Sequence, residues 1–337
     1  VTDRNIFQIE MKIKNILSAT AMAILMGTAM VSCGDKSGNK ATSPLGLVAC
    51  DESFERILQQ EVEVFEYCYP QYSIMPYYVN EKAAVDSLLD LGNVRTAILA
   101  RELTEKEKAF FKSHDKNVRQ QQIAVDAIAL IVNTQNPIEQ LSVQELRDIL
   151  AGKLKTWGEI EPNKTGAIDI VFDHQGSSTV QYMRDSLMNG KNFGGNVFAQ
   201  KSNDDVFKAV EANPRAIGII GVSWISSDLK HKEPTTEELA KIAQSSDTTE
   251  LSFDTRVKVL KVAGDGEVVA YKPYQTYIFE GKYPLFRPIY MTTVATGGTT
   301  SSKFYDFVTG PMGQKLIVMT GVLPARLFKR QVQVTTH

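Results

Sequence analysis

Short apolar runs alternating with amphipathic segments predict an α/β fold built on a mainly parallel sheet. One run, residues 123–132, is almost continuously apolar around a single Asp126, as expected of a strand covered on both faces. The chain has 337 residues, 43% hydrophobic and 23% charged, which is enough to bury a sizeable core and leave room for two lobes.

The first strand is expected over 46–50, breaking at Asp51-Glu52-Ser53. Ile57, Leu58, Val62 and Phe65 then fall at helical spacing, and Pro70 stops that helix. Residues 73–79 read as a second strand carrying Pro76, 83–91 as a helix and 94–99 as a third strand. After the strand at 123–132 comes an amphipathic helix at 141–150. A strand at 168–172 then runs through Asp173-His174-Gln175 into Gly176-Ser177-Ser178-Thr179 and a helix at 180–188. A helix at 204–211, the turn Asn213-Pro214 and a strand at 216–222 follow. Residues 231–247 are polar and read as a surface excursion. A strand at 283–294 and helices at 303–308 and 314–319 end the folded body.

The N-terminal stretch bears on location. Lys12 and Lys14 precede an apolar run over 16–31, which has signal-peptide proportions and is short for a membrane span. The run closes in Met30-Val31-Ser32-Cys33-Gly34, resembling a bacterial lipobox in which Cys33 is lipidated, with leucine commoner where Met30 stands. Translation is expected to start at Met11. Residues 1–32 are therefore assigned to an extension and signal peptide, and 33–45, rich in Gly, Ser, Lys and Thr, to a tether. A lipid chain implies contact with a membrane surface without a spanning segment. Cys50 and Cys68 remain, either as a disulfide in an oxidising compartment or as two small buried thiols.

Charge excludes one partner class. The chain carries 37 basic and 39 acidic residues, and without residues 1–32 it carries 34 and 37. Nucleic acid, which rewards an excess of basic residues, is not expected as a partner.

Open α/β sheets bind ligands where strands run out into helices. Residues 50–54 and 172–179 are two such junctions. Gly176-Ser177-Ser178-Thr179 sets three hydroxyls at a helix N-terminus, where free amides and the helix dipole favour an anion; Ser53 could add another donor. Helix capping is the ordinary use of serine there, and by spacing alone Ser53 and Ser177 are caps.

A set of ordered segments extends this reading. They are Ser53-Phe54, Arg101-Glu102-Leu103-Thr104, the strand at 123–133, Asn136-Pro137, Ile149-Leu150-Ala151-Gly152-Lys153, Trp157-Gly158-Glu159-Ile160, Gly176-Ser177-Ser178-Thr179, Asn213-Pro214-Arg215-Ala216-Ile217-Gly218, Tyr283-Pro284-Leu285-Phe286-Arg287 and 313–321. In that order, over about residues 46–326, the chain resembles the solute-binding protein of phosphate ABC importers. The resemblance implies a two-lobed, periplasmic-binding-protein-like α/β fold that closes on inorganic phosphate and delivers it to a membrane permease. It implies lobes of 46–122 plus 287–330 and of 123–286, with hinges near Gln122-Ile123 and before Arg287. Ser53, Phe54, Ser177, Ser178 and Thr179 would line the cleft of a monomer needing no cofactor.

The departures from that pattern lie in its charges. Better-known members have arginine where this chain has Asp173, aspartate near where it has Arg101, and glycine at Ser178. Arg101 is therefore expected to clamp the anion and Asp173 to accept the proton of hydrogen phosphate, a group that sulfate cannot offer. Asp51 and Glu52 read as ordinary acidic residues at a helix start. Glu81, near where those members use serine, is expected to restrict the ligand to a protonated one or to mark a changed specificity.

Asp173, His174 and Ser177 share one short turn and cannot converge as a hydrolytic triad, and the four histidines have no metal spacing, so neither catalysis nor a metal is expected. Residues 297–303 lack Walker spacing and read as a loop and cap. Trp157, Trp224 and Asp126 read as interior residues, the last as a satisfied buried carboxylate. A sensor or scaffold lipoprotein without transport, or a secreted phosphatase on the same fold, are the alternative functions.

Overall fold

In a computed structural model, the described residues are 44–162, 166–228, 234–245 and 251–326. The expected signal peptide, Cys33 and nearly all of the expected tether lie outside them.

The main sheet is built from β1 (Leu45–Asp51), β2 (Ser73–Val79), β3 (Val94–Leu99), β4 (Arg119–Asn133), β5 (Asp169–Phe172), β6 (Asn196–Ala199), β7 (Ala216–Gly221) and β8 (Phe286–Thr293). The helices are α1 (Glu55–Cys68), α2 (Glu81–Leu89), α3 (Glu105–Ser113), α4 (Val143–Leu150), α5 (Ser178–Tyr182), α6 (Asn203–Ala212), α7 (Thr236–Gln244), α8 (Gln275–Phe279), α9 (Thr300–Val308) and α10 (Pro311–Met319). Strand order is β2-β1-β3-β8-β4-β7-β5-β6.

β4 is the spine of this sheet. Its first part pairs antiparallel with β8, up to Ala127 opposite Phe286, and its second pairs antiparallel with β7 from Ile128 opposite Gly221. On one side β1 lies parallel to β2 and β3; on the other β5 lies parallel to β6 and β7. Following the pairings across, β1 and β5 run in opposite directions. Their carboxyl ends therefore face each other over the middle of β4, at the level of Asp126.

Local sequence explains the main elements. Residues 127–132 of β4 are fully buried, as the apolar run required. β2 is an edge strand paired only with β1, which is where Pro76 can be accommodated. α1 turns Ile57, Leu58, Val64 and Phe65 inward, and the Phe65 ring meets Phe304 and Phe307 of α9 at 5.1 and 5.4 Å.

Several expectations need correction. Within the polar stretch 231–247, residues 236–244 form α7, begun by a capping box between Thr235 and Glu238. It buries Leu239, Ala240, Ile242 and Ala243, so a thin apolar stripe was hidden by a polar average. The helix expected at 180–188 is α only to Tyr182, after which a π turn spans Met183–Leu187. Both Cys50 and Cys68 are free thiols. Cys50 lies near the end of β1, before α1 begins, and Cys68 is the last residue of that 14-residue helix, which spans about 20 Å and separates the two thiols.

Glu61 on the inner face of α1 is 1% exposed, and neither carboxylate oxygen has a hydrogen-bond partner. Burial raises its pKa well above the ordinary value of 4.5. A carboxyl whose pKa is raised by folding supports stability below its unfolded pKa and loses that support as pH rises. Glu61→Met is expected to raise the thermal unfolding midpoint near neutral pH, with a gain of about 1–3 kcal/mol. The gain should grow as pH rises above the ordinary carboxylate value of 4.5, as measured by circular dichroism.

Candidate functional site

The two facing strand ends each break into a turn. At the end of β1, Asp51 Oδ1 accepts the Ser53 amide at 3.0 Å, closing the turn Glu52–Phe54 before α1. At the end of β5, Ser177 caps α5 by accepting the Val180 amide at 3.1 Å. The two turns touch through hydroxyls. Ser178 Oγ donates to Asp51 Oδ1 at 2.7 Å and lies 3.1 Å from Ser53 Oγ, which is 3.4 Å from Thr179 Oγ1.

Beneath them stands a buried ion pair. Arg287 of β8 is directly opposite Asp126 of β4 in the pairing register. Its Nε and Nη2 donate to Asp126 Oδ2 at 3.2 and 3.0 Å, and Nη1 donates to Ser178 Oγ at 2.6 Å. The Phe54 ring lies under the guanidinium, 4.7 Å from centroid to Cζ, and Arg287 is 2% exposed. Gly221 gives Asp126 its room, since a Cβ there would stand 3.0 Å from Oδ2. Burial raises the Asp126 pKa against the opposing pull of Arg287.

Asp173 is fully buried beside this pair, with neither oxygen in hydrogen-bonding geometry. Burial raises its pKa, opposed by the neighbouring Ser177, the charge and amide of His174, and Arg287. Glu81, at the start of α2, accepts the Ala100 amide at 2.8 Å and sits 3.2 Å from Arg101 Nε. Burial raises it too, offset by that amide and by the two arginines.

Ser53, Phe54, Asp173, Ser177, Ser178 and Thr179 are thus brought to one place. Arg101 does not join them. Its guanidinium is held in a two-bond fork by Glu107, at 2.9 Å on each arm, and its Nη1 also donates to the Glu102 carbonyl at 2.8 Å. The expected clamp is an outer brace on Glu81, because Glu107, already fixed in a capping box with Thr104, matches the arginine fork better.

Three functional candidates were missed by sequence reasoning. Asp51 passed for a helix-start acid because capping accounts for only one of its oxygens. Asp126 and Arg287 are far apart in sequence, yet a lone carboxylate inside an apolar strand signals that a cation must meet it.

Further contacts tie the two turns' surroundings together. Trp224 Nε1 donates to the Ser53 carbonyl at 3.0 Å, and Arg56 Nη1 donates to the Trp224 carbonyl at 2.9 Å. Glu52 Oε2 and His174 Nε2 are 2.6 Å apart. Beside them opens a cavity of about 670 Å³ whose lining includes Arg56, Tyr78, His174, Phe207, Trp224 and Arg256. Among the described residues no His, Cys, Asp or Glu group is arranged to hold a metal.

Comparison with known proteins agrees with this architecture. The sequence profile of the PBP superfamily domain matches residues 37–311. The chain belongs to the PBP superfamily. The phosphate-binding protein PstS of Staphylococcus saprophyticus is 24% identical over 223 residues, 64% of this chain and 60% of that relative's length. Its counterpart in Pseudomonas aeruginosa is 20% identical over 289 residues, covering 81% of this chain and 80% of the relative. A phosphate-bound substrate-binding protein from Clostridium perfringens superposes with a TM-score of 0.64 at 20% identity, covering 84% of this chain and all of that one. An ABC-type phosphate transport receptor from Vibrio cholerae gives 0.59 at 21%, covering 83% and 99%. The fold is the two-lobed α/β fold of periplasmic binding proteins.

Removing one member of the buried pair strands the other. Asp126→Ala is expected to cost about 3–5 kcal/mol in urea unfolding. The double replacement Asp126→Leu with Arg287→Met should recover most of that loss.

Proposed function

We propose that this chain is an extracytoplasmic lipoprotein that binds inorganic phosphate between its lobes and delivers it to the permease of an ABC importer. The observation that carries the reading is the buried guanidinium of Arg287 among the hydroxyls of Ser53, Ser178 and Thr179, at the meeting of two strand ends. Arginine and hydroxyl donors suit a tetrahedral oxyanion, and the Phe54 amide and the α5 N-terminus add further donors. The relatives named for phosphate binding support the choice of anion.

In this reading the lobes are 46–122 plus 287–330 and 123–286. Ser53 and Phe54 approach the anion from one and Ser177, Ser178 and Thr179 from the other, while Asp173 accepts the proton of hydrogen phosphate. Sulfate, having no proton to give, leaves that carboxylate unpaired and is rejected. Arg287 supplies the charge assigned at first to Arg101. The protein acts as a binder and not a hydrolase: the relatives it matches are named for phosphate binding, and among the described residues no serine, histidine and carboxylate form a relay. Cys33 carries the lipid, and 33–45 is the tether.

Calorimetric titration of the tether-free protein should give heat with phosphate and none with sulfate; heat from sulfate alone, or from neither, sinks the assignment. Ser178→Ala should weaken phosphate binding at least about tenfold, and Arg101→Ala by less than about tenfold. In cells, Cys33→Ala is expected to move the protein from the membrane fraction to the soluble one.

A further inference from the structure

Of the fully buried carboxylates around the hydroxyl cluster, two have no ion-pair partner. Arg287 is matched by Asp126, and Arg101 by Glu107 and Glu81. Glu52 has His174. Asp51 and Asp173, both fully buried, have no cation of their own.

Their open oxygens are hydrogen-bond acceptors. Asp51 Oδ1 is used by the Ser53 amide and Ser178, whereas Oδ2 has no partner; Asp173 has the Ser177 hydroxyl and the His174 amide nearby, neither in full hydrogen-bond geometry. The two carboxylates reach the same turn from opposite strand ends, Asp51 at the end of β1 bonding Ser178 and Asp173 just past the end of β5 lying beside Ser177. An oxyanion carrying a single proton satisfies one of them and leaves the other facing its negative charge. An anion with two protons satisfies both and brings only one negative charge.

We infer that Asp51 is a second proton acceptor and that the site selects the monobasic, doubly protonated form of its oxyanion, dihydrogen phosphate. This deepens the phosphate reading above and rests on it. Other titratable or charged groups border Asp51 from each neighbouring element: Cys50 on β1, Glu52 and Glu55 in its own turn and at the start of α1, Glu81 on α2, Asp126 on β4, Asp173 and His174 after β5, and Arg287 on β8. The acids in this set disfavour a dianion further.

The sign of the pH effect follows. Free phosphate loses its second proton near neutrality, so on the alkaline side each anion captured must bring back a proton from solution. Affinity should fall about tenfold per pH unit between about pH 7.5 and 8.5.

The test is calorimetry of the tether-free protein with inorganic phosphate in buffers of different ionisation enthalpy near pH 8. About one proton taken up per phosphate is expected for the unaltered protein. Asp51→Asn, which keeps an acceptor for the Ser53 amide, should bring uptake near zero and flatten the pH slope. His174→Gln should leave uptake unchanged. Phosphate bound without uptake, or uptake undiminished in Asp51→Asn, overturns the inference and leaves the phosphate reading standing. No phosphate binding by the unaltered protein at any pH overturns that reading instead. Phosphite covers the case in which Asp51→Asn does not bind. Near pH 5 it has the same charge as phosphate and one fewer O–H, so it should bind the unaltered protein at least about tenfold more weakly; equal affinity overturns the inference.

Discussion

The buried pair between Arg287 and Asp126 is the constraint around which the site is arranged. Both residues lie in the sheet, facing each other across adjacent strands, at the level where two oppositely directed half-sheets present their carboxyl ends. Taking two charges out of water is costly, and mutual attraction offsets that cost only when geometry and further hydrogen bonds are good. Here two arginine nitrogens share one carboxylate oxygen, a third reaches Ser178, and the Phe54 ring covers the guanidinium face. An apolar pair would serve the sheet equally well. Retention of the charge makes sense if the guanidinium also has a ligand to meet.

The same position explains how both halves reach one point. Ser178 belongs to the turn after β5 yet bonds to Asp51 at the end of β1, and Arg287 braces it from β8. Around this centre, Trp224 holds the Ser53 carbonyl, Arg56 holds the Trp224 carbonyl, and Glu52 lies against His174. Each contact joins segments distant in sequence. Parting the two turns therefore requires breaking several hydrogen bonds together, which favours discrete open and closed states over gradual opening.

Much of this was legible in the sequence, for identifiable reasons. The strand–helix alternation and the buried run at 123–132 are local patterns, and most expected elements are present, while α3, β6 and α8 were not foreseen. The hydroxyl turn at 176–179 was legible because serine and threonine at a strand-to-helix junction have few uses. α7 was not, because averaging over 231–247 concealed its apolar stripe. Arg101 misled because its position matched a charge in a related pattern, while its partner Glu107 lay six residues on and competed for the guanidinium. Arg287 shows in the sequence only as the end of a segment beside the expected hinge. Its role depends on a cross-strand register that no local period encodes.

Moving the cation from a loop to the central sheet changes what the site can discriminate. A guanidinium on a loop could swing toward an anion and contribute its full charge. Arg287 is fixed by strand pairing and already matched by Asp126, so its remaining nitrogen, now on Ser178, offers direction more than net charge. The hydroxyls are likewise neutral. Selectivity must then come from which ligand replaces the existing bond between Ser178 and Asp51 while still satisfying Asp51 and Asp173. A ligand able only to accept hydrogen bonds exposes both carboxylates to its charge. One that also donates can engage both, so the number of protons it carries becomes the quantity this site is built to read.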